Sequence, residues 1–254
     1  MLARLKWLTF LSLDAPLVAV SWQALFAREH GTRLSWHHSL IVFLSVWLGY
    51  AADRWCDNLK RDRPASEQHR FYALHSRQIL AVWLGVLVTA VSLAFACLTA
   101  PELAHGFVLV GLSLAYTLFA QKGRKLKHYP LLKAIFTALL VLASSLLFIP
   151  IDSIPYLARA CVWLLFSSNC LYIRSWTHAG ETNAAFQATL FATAVATLAV
   201  FTLWTRDSSV AAASLLAQGA ILLLHLFRHR IDSATLRTAA DLCLLSPWPI
   251  LFLL

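Results

Sequence analysis

Residues 49–64 read GYAADRWCDNLKRDRP and close an apolar segment that begins near residue 37. Asp53 and Asp57 lie four positions apart, so a continuing helix places their carboxylates on one face, one turn from each other. Lys60, Arg61 and Arg63 follow within six residues. One interpretation is that the helix leaves a membrane here and its acids pair with these bases. The other is a divalent-cation site, since Mg²⁺ binds hard carboxylates and the oxygens of a phosphorylated ligand.

The composition around this stretch is that of an integral membrane protein. Of 254 residues, 59% are hydrophobic and 13% are charged, and the mean hydropathy is +0.67. A water-soluble domain needs more charge to cover its surface. We therefore expect a single polytopic membrane domain over residues 1–254.

Apolar segments of nearly membrane-spanning length recur along the whole chain. A helix needs about 20 apolar residues to cross the hydrocarbon core. The last segment contains SPWP at 246–249, whose prolines should break or kink a helix. The sequence predicts an all-α fold of about nine transmembrane helices, approximately at 7–27, 37–56, 78–99, 103–120, 131–149, 155–176, 184–204, 209–227 and 238–254.

The lysines and arginines predict the orientation of these helices. If the N-terminus is cytoplasmic, 16 of the 21 lie in cytoplasmic segments and three in outer ones. Cytoplasmic loops carry the excess of Lys and Arg in membrane proteins. We expect a cytoplasmic N-terminus, an outer C-terminus and location in the cytoplasmic (inner) membrane. The net charge of +9 then reflects topology, and nucleic acid is not an expected partner.

Two further polar stretches lie on the predicted cytoplasmic side. The loop QKGRKLKHYP (121–130) could be basic from topology alone or could bind phosphate. The stretch NCLYIRSWTHAGETN (169–183) ends the sixth predicted span with several polar residues. Polar groups at membrane depth are costly and usually face an interior cavity. The candidate residues of these two stretches are Lys122, Lys125, Asn169, Arg174, His178 and Glu181.

Together these three stretches resemble the UbiA superfamily of intramembrane prenyltransferases. Its first motif, N-D-x-x-D-x-x-x-D followed by a basic run ending in R-P, is matched by Asp53, Asp57 and Arg63-Pro64. Gly49 and Tyr50 stand where that motif begins with Asn-Asp. Tyr116 matches a tyrosine near the end of the fourth helix. The second aspartate motif is reduced to Gly180-Glu181.

The resemblance implies a fold, a reaction and a set of site residues. The fold would be nine helices around a central cavity whose mouth faces the cytoplasm. The reaction would ionise an isoprenyl diphosphate with Mg²⁺ and transfer the prenyl group to an acceptor, most often an aromatic ring. The implied residues are Asp53, Asp57 and Tyr116 for catalysis; Asp53, Asp57 and Glu181 for metal; Lys60, Arg61, Arg63, Lys122, Lys125 and Arg174 for diphosphate; and Tyr50, Asn169, Tyr172 and His178 in the cavity.

The departures from the family motifs leave alternatives open. A terpene cyclase would ionise the same diphosphate and need no acceptor. A non-catalytic membrane lipid-binding protein would keep the fold without the chemistry. Tyr50, Tyr116 and Tyr172 could stabilise the allylic cation with the π faces of their rings. The alternative role for each of them is packing in the core. A transporter is disfavoured because the sequence has no inverted repeat with paired Gly- or Pro-broken spans.

Overall fold

The described part of the chain is helical. The structure, a computed structural model, describes residues 7–59, 67–122, 128–177, 182–206 and 208–253. Short 3₁₀ turns cover Ile151–Ser153 and Arg228–Arg230. The α-helices are α1 (Asp14–Glu29), α2 (Trp36–Leu59), α3 (Glu67–Leu74), α4 (Ser76–Cys97), α5 (Ala100–Lys122), α6 (Tyr129–Leu146), α7 (Tyr156–Thr177), α8 (Thr182–Arg206), α9 (Ser209–Phe227), α10 (Ser233–Cys243) and α11 (Pro247–Leu253).

Seven helical segments within the described ranges are long and apolar enough to cross a membrane. They are 76–97, 100–121, 129–146, 156–177, 186–203, 209–230 and 233–253. The described chain is therefore an all-α, multi-pass membrane protein. The predicted spans 7–27 and 37–56 correspond to α1 and α2, which are not among the seven. Helix α1 has only 16 residues, and α2 has histidines at its start and charged residues towards its end.

The predicted first span is divided near its start. Residues 7–10 are helical, but the helix stops before Ser12, whose φ of 57° lies in the left-handed region. The Ser12 hydroxyl lies 2.6 Å from the phenol oxygen of Tyr72 on α3. Burial raises the pKa of the Tyr72 phenol, which therefore stays protonated at neutral pH. This hydrogen bond joins the break to α3, and α1 restarts with Pro16 in its first turn, where a missing N–H is tolerated.

The predicted break near the C-terminus is confirmed. Helix α10 ends at Cys243, residues 244–246 form a turn, and α11 begins at Pro247. The indole Nε1 of Trp22 on α1 donates to the carbonyl oxygen of Leu244 in this turn, at 2.8 Å. The turn is therefore tied to the centre of the bundle.

Helix α1 lies at the centre of the packing. It contacts α2, α6, α9, α10 and α11, while α7 packs against both α6 and α8. The core between these helices contains Trp22, Phe26 and Leu165, all without exposed surface. Helices α4 and α5 differ, because apolar side chains such as Val88 and Phe107 are 65% and 61% exposed. In a membrane these two helices face lipid.

A carboxylate joins α1 to α9 at the end of the bundle where α1 stops. Glu29 accepts hydrogen bonds from the hydroxyls of Ser208 and Ser209, at 2.7 and 2.5 Å, and from the backbone N–H of Val210, at 2.7 Å. The negative charge also lies at the N-terminus of α9, where the helix dipole favours it. Hydrogen bonds to a charged group are stronger than neutral ones.

We expect Glu29→Gln to lower the free energy of unfolding by about 2 kcal/mol, because it removes the charge and turns an amide donor towards these donors. For a chain of this size the melting temperature should fall by about 4–8 °C. Thermal unfolding in detergent measures the change. Asp152→Asn is the control, since Asp152 is exposed in the 3₁₀ turn. Equal melting temperatures for the two variants would contradict the stabilising role of Glu29.

Candidate functional site

Polar side chains from six helices meet at the end of the bundle opposite Glu29. These side chains lie in the first turn of α1, in the first half of α6, in the second halves of α2, α5 and α7, and along α10. Ionisable side chains inside a membrane bundle mark a functional site by default. We call this group the polar cluster; it consists of Asp14, Tyr50, Asp53, Arg54, Tyr116, Lys133, Thr137, Asn169, Arg237 and Asp241.

Asp53 forms an ion pair across two helices. Its Oδ2 lies 3.6 Å from Nζ of Lys133 on α6. The two side chains keep 18% and 27% of their surface exposed, so the pair lies in an opening and not in the packed core. Oδ1 of Asp53 is buried and has no hydrogen-bond partner within the described residues. The carboxylate thus has one oxygen ready to accept another ligand.

Tyr116 lies next to this ion pair. The hydroxyl of Thr137 donates to the carbonyl oxygen of Lys133 at 2.8 Å. Its one proton is thereby used, so the hydroxyl of Tyr116, 2.8 Å away, is the donor in the Tyr116–Thr137 bond. Tyr116 is close enough to Asp53 for the carboxylate charge to act on the phenol. Helices α5 and α6 therefore present a phenol ring and an ammonium group beside one carboxylate.

Two guanidinium groups converge on Tyr50. Nη2 of Arg54 donates to the phenol oxygen at 2.5 Å, and Nη2 of Arg237 donates to the same atom at 3.3 Å. The Arg54 guanidinium also lies over the tyrosine ring, 4.6 Å from its centroid. Nε of each arginine is buried without an acceptor among the described residues. This side of the cluster is rich in hydrogen-bond donors and suits an anion.

The cluster contains four residues that the sequence analysis selected. These are Asp53, Tyr116, Tyr50 and Asn169, whose Nδ2 donates to Oδ1 of Asp241 at 3.1 Å. Tyr172 lies elsewhere: it is buried, with its ring centroid 5.8 Å from that of Trp176 and 4.9 Å from that of His225. Arg174 is partly buried in the last turn of α7.

The other selected residues fall at or beyond the edges of the described structure. Asp57 and Lys122 lie within α2 and α5, but their side chains are outside the described part. Asp57 follows Asp53 by one helical turn. Lys60, Arg61, Arg63, Lys125, His178 and Glu181 lie outside the described residues altogether.

A magnesium site can be compared with the residues that the structure does describe. Among these, no three His, Cys, Asp or Glu side chains gather as a metal site. Of the three predicted ligands Asp53, Asp57 and Glu181, only the side chain of Asp53 is described. Its unpartnered Oδ1 is the hard oxygen ligand that Mg²⁺ prefers. The described residues therefore offer such a site one carboxylate oxygen of the type that Mg²⁺ binds, from Asp53.

Sequence reasoning missed six of the ten residues of the cluster. Asp14, Arg54, Lys133 and Thr137 were not among the selected site residues. Asp241 and Arg237 were not selected at all. The signal was present, because Asp14, Lys133 and Asp241 each interrupt an apolar segment, and such residues face a bundle interior.

Comparison with known proteins identifies no relative of this chain. No family model matches the chain, and no curated protein and no solved structure matches it. The chemistry of the polar cluster is thus the basis for assigning a function.

Proposed function

We propose that the chain is a Mg²⁺-dependent membrane prenyltransferase of the UbiA type. It would fold as about nine transmembrane helices around a central cavity, with α1 and α2 as the first two. The observation that carries the proposal is the ion pair of Asp53 and Lys133 beside Tyr116, at one end of a helical membrane bundle. The substrate is an isoprenyl diphosphate, and the prenyl group passes to an acceptor with an aromatic ring.

The two ends of such a substrate suit two parts of the molecule. Its tail is apolar, and α4 and α5 present apolar surface to lipid, from which the tail can enter. Its head is a polyanion, and Lys133, Arg54 and Arg237 supply positive charge at one end of the bundle. The basic residues Lys60, Arg61, Arg63, Lys122, Lys125 and Arg174 belong to the same proposed head-group region.

Four described residues of the cluster would have roles in breaking the bond between carbon and oxygen. As that bond ionises, negative charge grows on the leaving diphosphate, and Lys133 stabilises it more in the transition state than in the ground state. Asp53, with Asp57 and Glu181, would hold Mg²⁺, which neutralises diphosphate charge when bound. Tyr116 would present a π face to the allylic cation, and Tyr50 could present only the face that Arg54 does not cover.

The orientation belongs to the same proposal. The excess of Lys and Arg in the predicted cytoplasmic segments places the mouth of the cavity on the cytoplasmic side. The N-terminus is then cytoplasmic, the C-terminus lies outside, and the protein resides in the cytoplasmic (inner) membrane. The head group would be recognised where cytoplasmic diphosphate and Mg²⁺ are available.

Purified protein in detergent tests the proposal directly. We expect Mg²⁺-dependent release of pyrophosphate from radiolabelled isoprenyl diphosphates, with a labelled prenylated product when an aromatic acceptor is present. A labelled hydrocarbon formed without any acceptor would instead identify a terpene cyclase. Folded protein that releases no pyrophosphate with any chain length would reject an ionising enzyme and favour a lipid-binding protein.

Lys133→Met removes the positive charge of Lys133 and keeps a side chain of similar length. We expect kcat/KM for the diphosphate to fall about tenfold or more, because a hydrogen bond to a charged group contributes about 1.5–3 kcal/mol. Steady-state pyrophosphate release measures the change. Arg159→Met is the control, since Arg159 lies at the start of α7, at the other end of the bundle, over the ring of Tyr156. A kcat/KM unchanged in Lys133→Met would place Lys133 outside the diphosphate site.

A further inference from the structure

The polar cluster contains a pair of carboxyl groups from the two ends of the chain, Asp14 on α1 and Asp241 on α10. We infer that these two carboxyl groups share one proton, and that the pair takes up the proton that leaves carbon after prenyl transfer. The second half of this inference rests on the proposed function, whereas the first half does not.

The two carboxyl groups are neighbours, close enough for one to hydrogen-bond to the other if it carries a proton. Asp14 is 5% exposed, and its Oδ1 accepts the backbone N–H of Ala15 at 3.0 Å. Oδ1 of Asp241 accepts from Nδ2 of Asn169 at 3.1 Å. Oδ2 of each aspartate is buried and lacks a donor within the described residues. Each carboxyl group therefore has one satisfied and one unsatisfied oxygen.

The surrounding charges do not supply the missing donors. Arg54 is near enough to act on both carboxyl groups by its charge, but its hydrogen bond goes to the phenol of Tyr50. Arg237 also donates to Tyr50. Cys170 on α7 and Cys243 on α10 are the neighbouring thiols that feel the charge of Asp241. Among the described residues, no hydrogen bond or ion pair from a cation reaches either Oδ2.

One proton between the two groups resolves this arrangement. Ionised carboxylates only accept hydrogen bonds, so two ionised groups in contact would repel each other and leave both Oδ2 atoms unsatisfied. With one proton, one carboxyl group donates to the other, and the pair titrates as a unit. The remaining single negative charge is balanced by Arg54, and Asn169 holds Asp241 in place.

A singly protonated pair can accept one more proton. When the C–O bond breaks, its electrons leave with the diphosphate, and the allylic cation forms a new C–C bond with the acceptor ring. The ring must then lose a proton from the carbon attacked, and the C–H electrons return to the ring. That proton goes to the anionic carboxylate, directly or through the Tyr50 hydroxyl, and the neutral pair later releases it to water.

Infrared spectroscopy of the folded protein tests the shared proton without any substrate. We expect a carboxylic acid C=O band in wild-type protein at neutral pH that shifts in D₂O and is missing from Asp14→Asn and from Asp241→Asn. Asp152→Asn is the control and should retain it. A wild-type spectrum without such a band, or a band retained in both cluster variants, would overturn the inference.

The kinetics of the same variants test the proton-accepting role. We expect product formation to fall by about 10²-fold, the lower range for losing a general base, with a smaller fall in pyrophosphate release. A primary isotope effect with ring-deuterated acceptor should also appear. Equal loss of both readouts without an isotope effect would reduce the pair to a positioning role and overturn the inference. Wild-type protein that ionises no diphosphate would remove the role, while the infrared result would still stand.

Discussion

Asp53→Asn should reduce Mg²⁺-dependent release of pyrophosphate by at least about 10²-fold, because even the outer partners of a metal ligand contribute 10–100-fold. The change keeps the shape of the side chain and removes its negative charge. It removes the ion pair with Lys133 and the negative charge that would attract Mg²⁺. Initial rates with saturating diphosphate, measured over a Mg²⁺ titration, give the size of the effect.

The control for this prediction is Asp152→Asn, which makes the same chemical change in the 3₁₀ turn between α6 and α7. We expect this variant to retain wild-type rates. Melting temperatures of both variants in detergent establish that each is folded. A folded Asp53→Asn protein with wild-type release at all Mg²⁺ concentrations would exclude Asp53 as a metal ligand, and with it the magnesium part of the proposed function.

The lengths of the apolar segments predicted the long helices well, because the thickness of the membrane sets how long a spanning helix must be. Spans expected at 78–99 and 209–227 are found as Ser76–Cys97 and Ser209–Phe227. The same argument failed at the start of the chain, where the expected span 7–27 is broken before Ser12. Residues 8–13 are mostly apolar, and the break is accompanied by a hydrogen bond to Tyr72, 60 residues away. Hydropathy does not register such a contact.

The pairing of the site residues was predictable only where they follow one another in the chain. The four-residue spacing places Asp57 one turn beyond Asp53, and that relation needs no tertiary structure. The partner of Asp53 is Lys133, 80 positions further on, and the partner of Asn169 is Asp241, 72 positions further on. These pairs depend on which helices are neighbours. An unexplained charge inside an apolar segment shows that a partner exists, without identifying it.

The largest effect on stability should come from Trp22, which joins three parts of the bundle. Its side chain has no exposed surface, and its ring packs edge-on against Phe166 of α7 with centroids 5.7 Å apart. We expect Trp22→Ala to lower the free energy of unfolding by about 3 kcal/mol, the lower end of the range for large aromatic residues in cores. The lower end applies because lipid is as apolar as the core, so the loss is mainly packing.

Trp36→Ala is the control, since Trp36 is 70% exposed at the start of α2 and should tolerate the change.

Trp22→Phe then separates packing from hydrogen bonding. It keeps an aromatic ring but removes the donor to Leu244, at a cost of about 1–3 kcal/mol for the unsatisfied carbonyl. Because Leu244 follows α10 directly, this variant should also loosen Asp241 and Arg237. The comparison is a variant altered at Glu29 that has the same melting temperature as Trp22→Phe. Product formation should fall more in Trp22→Phe than in that variant. Equal losses would show that the Trp22 hydrogen bond stabilises the bundle without positioning the polar cluster.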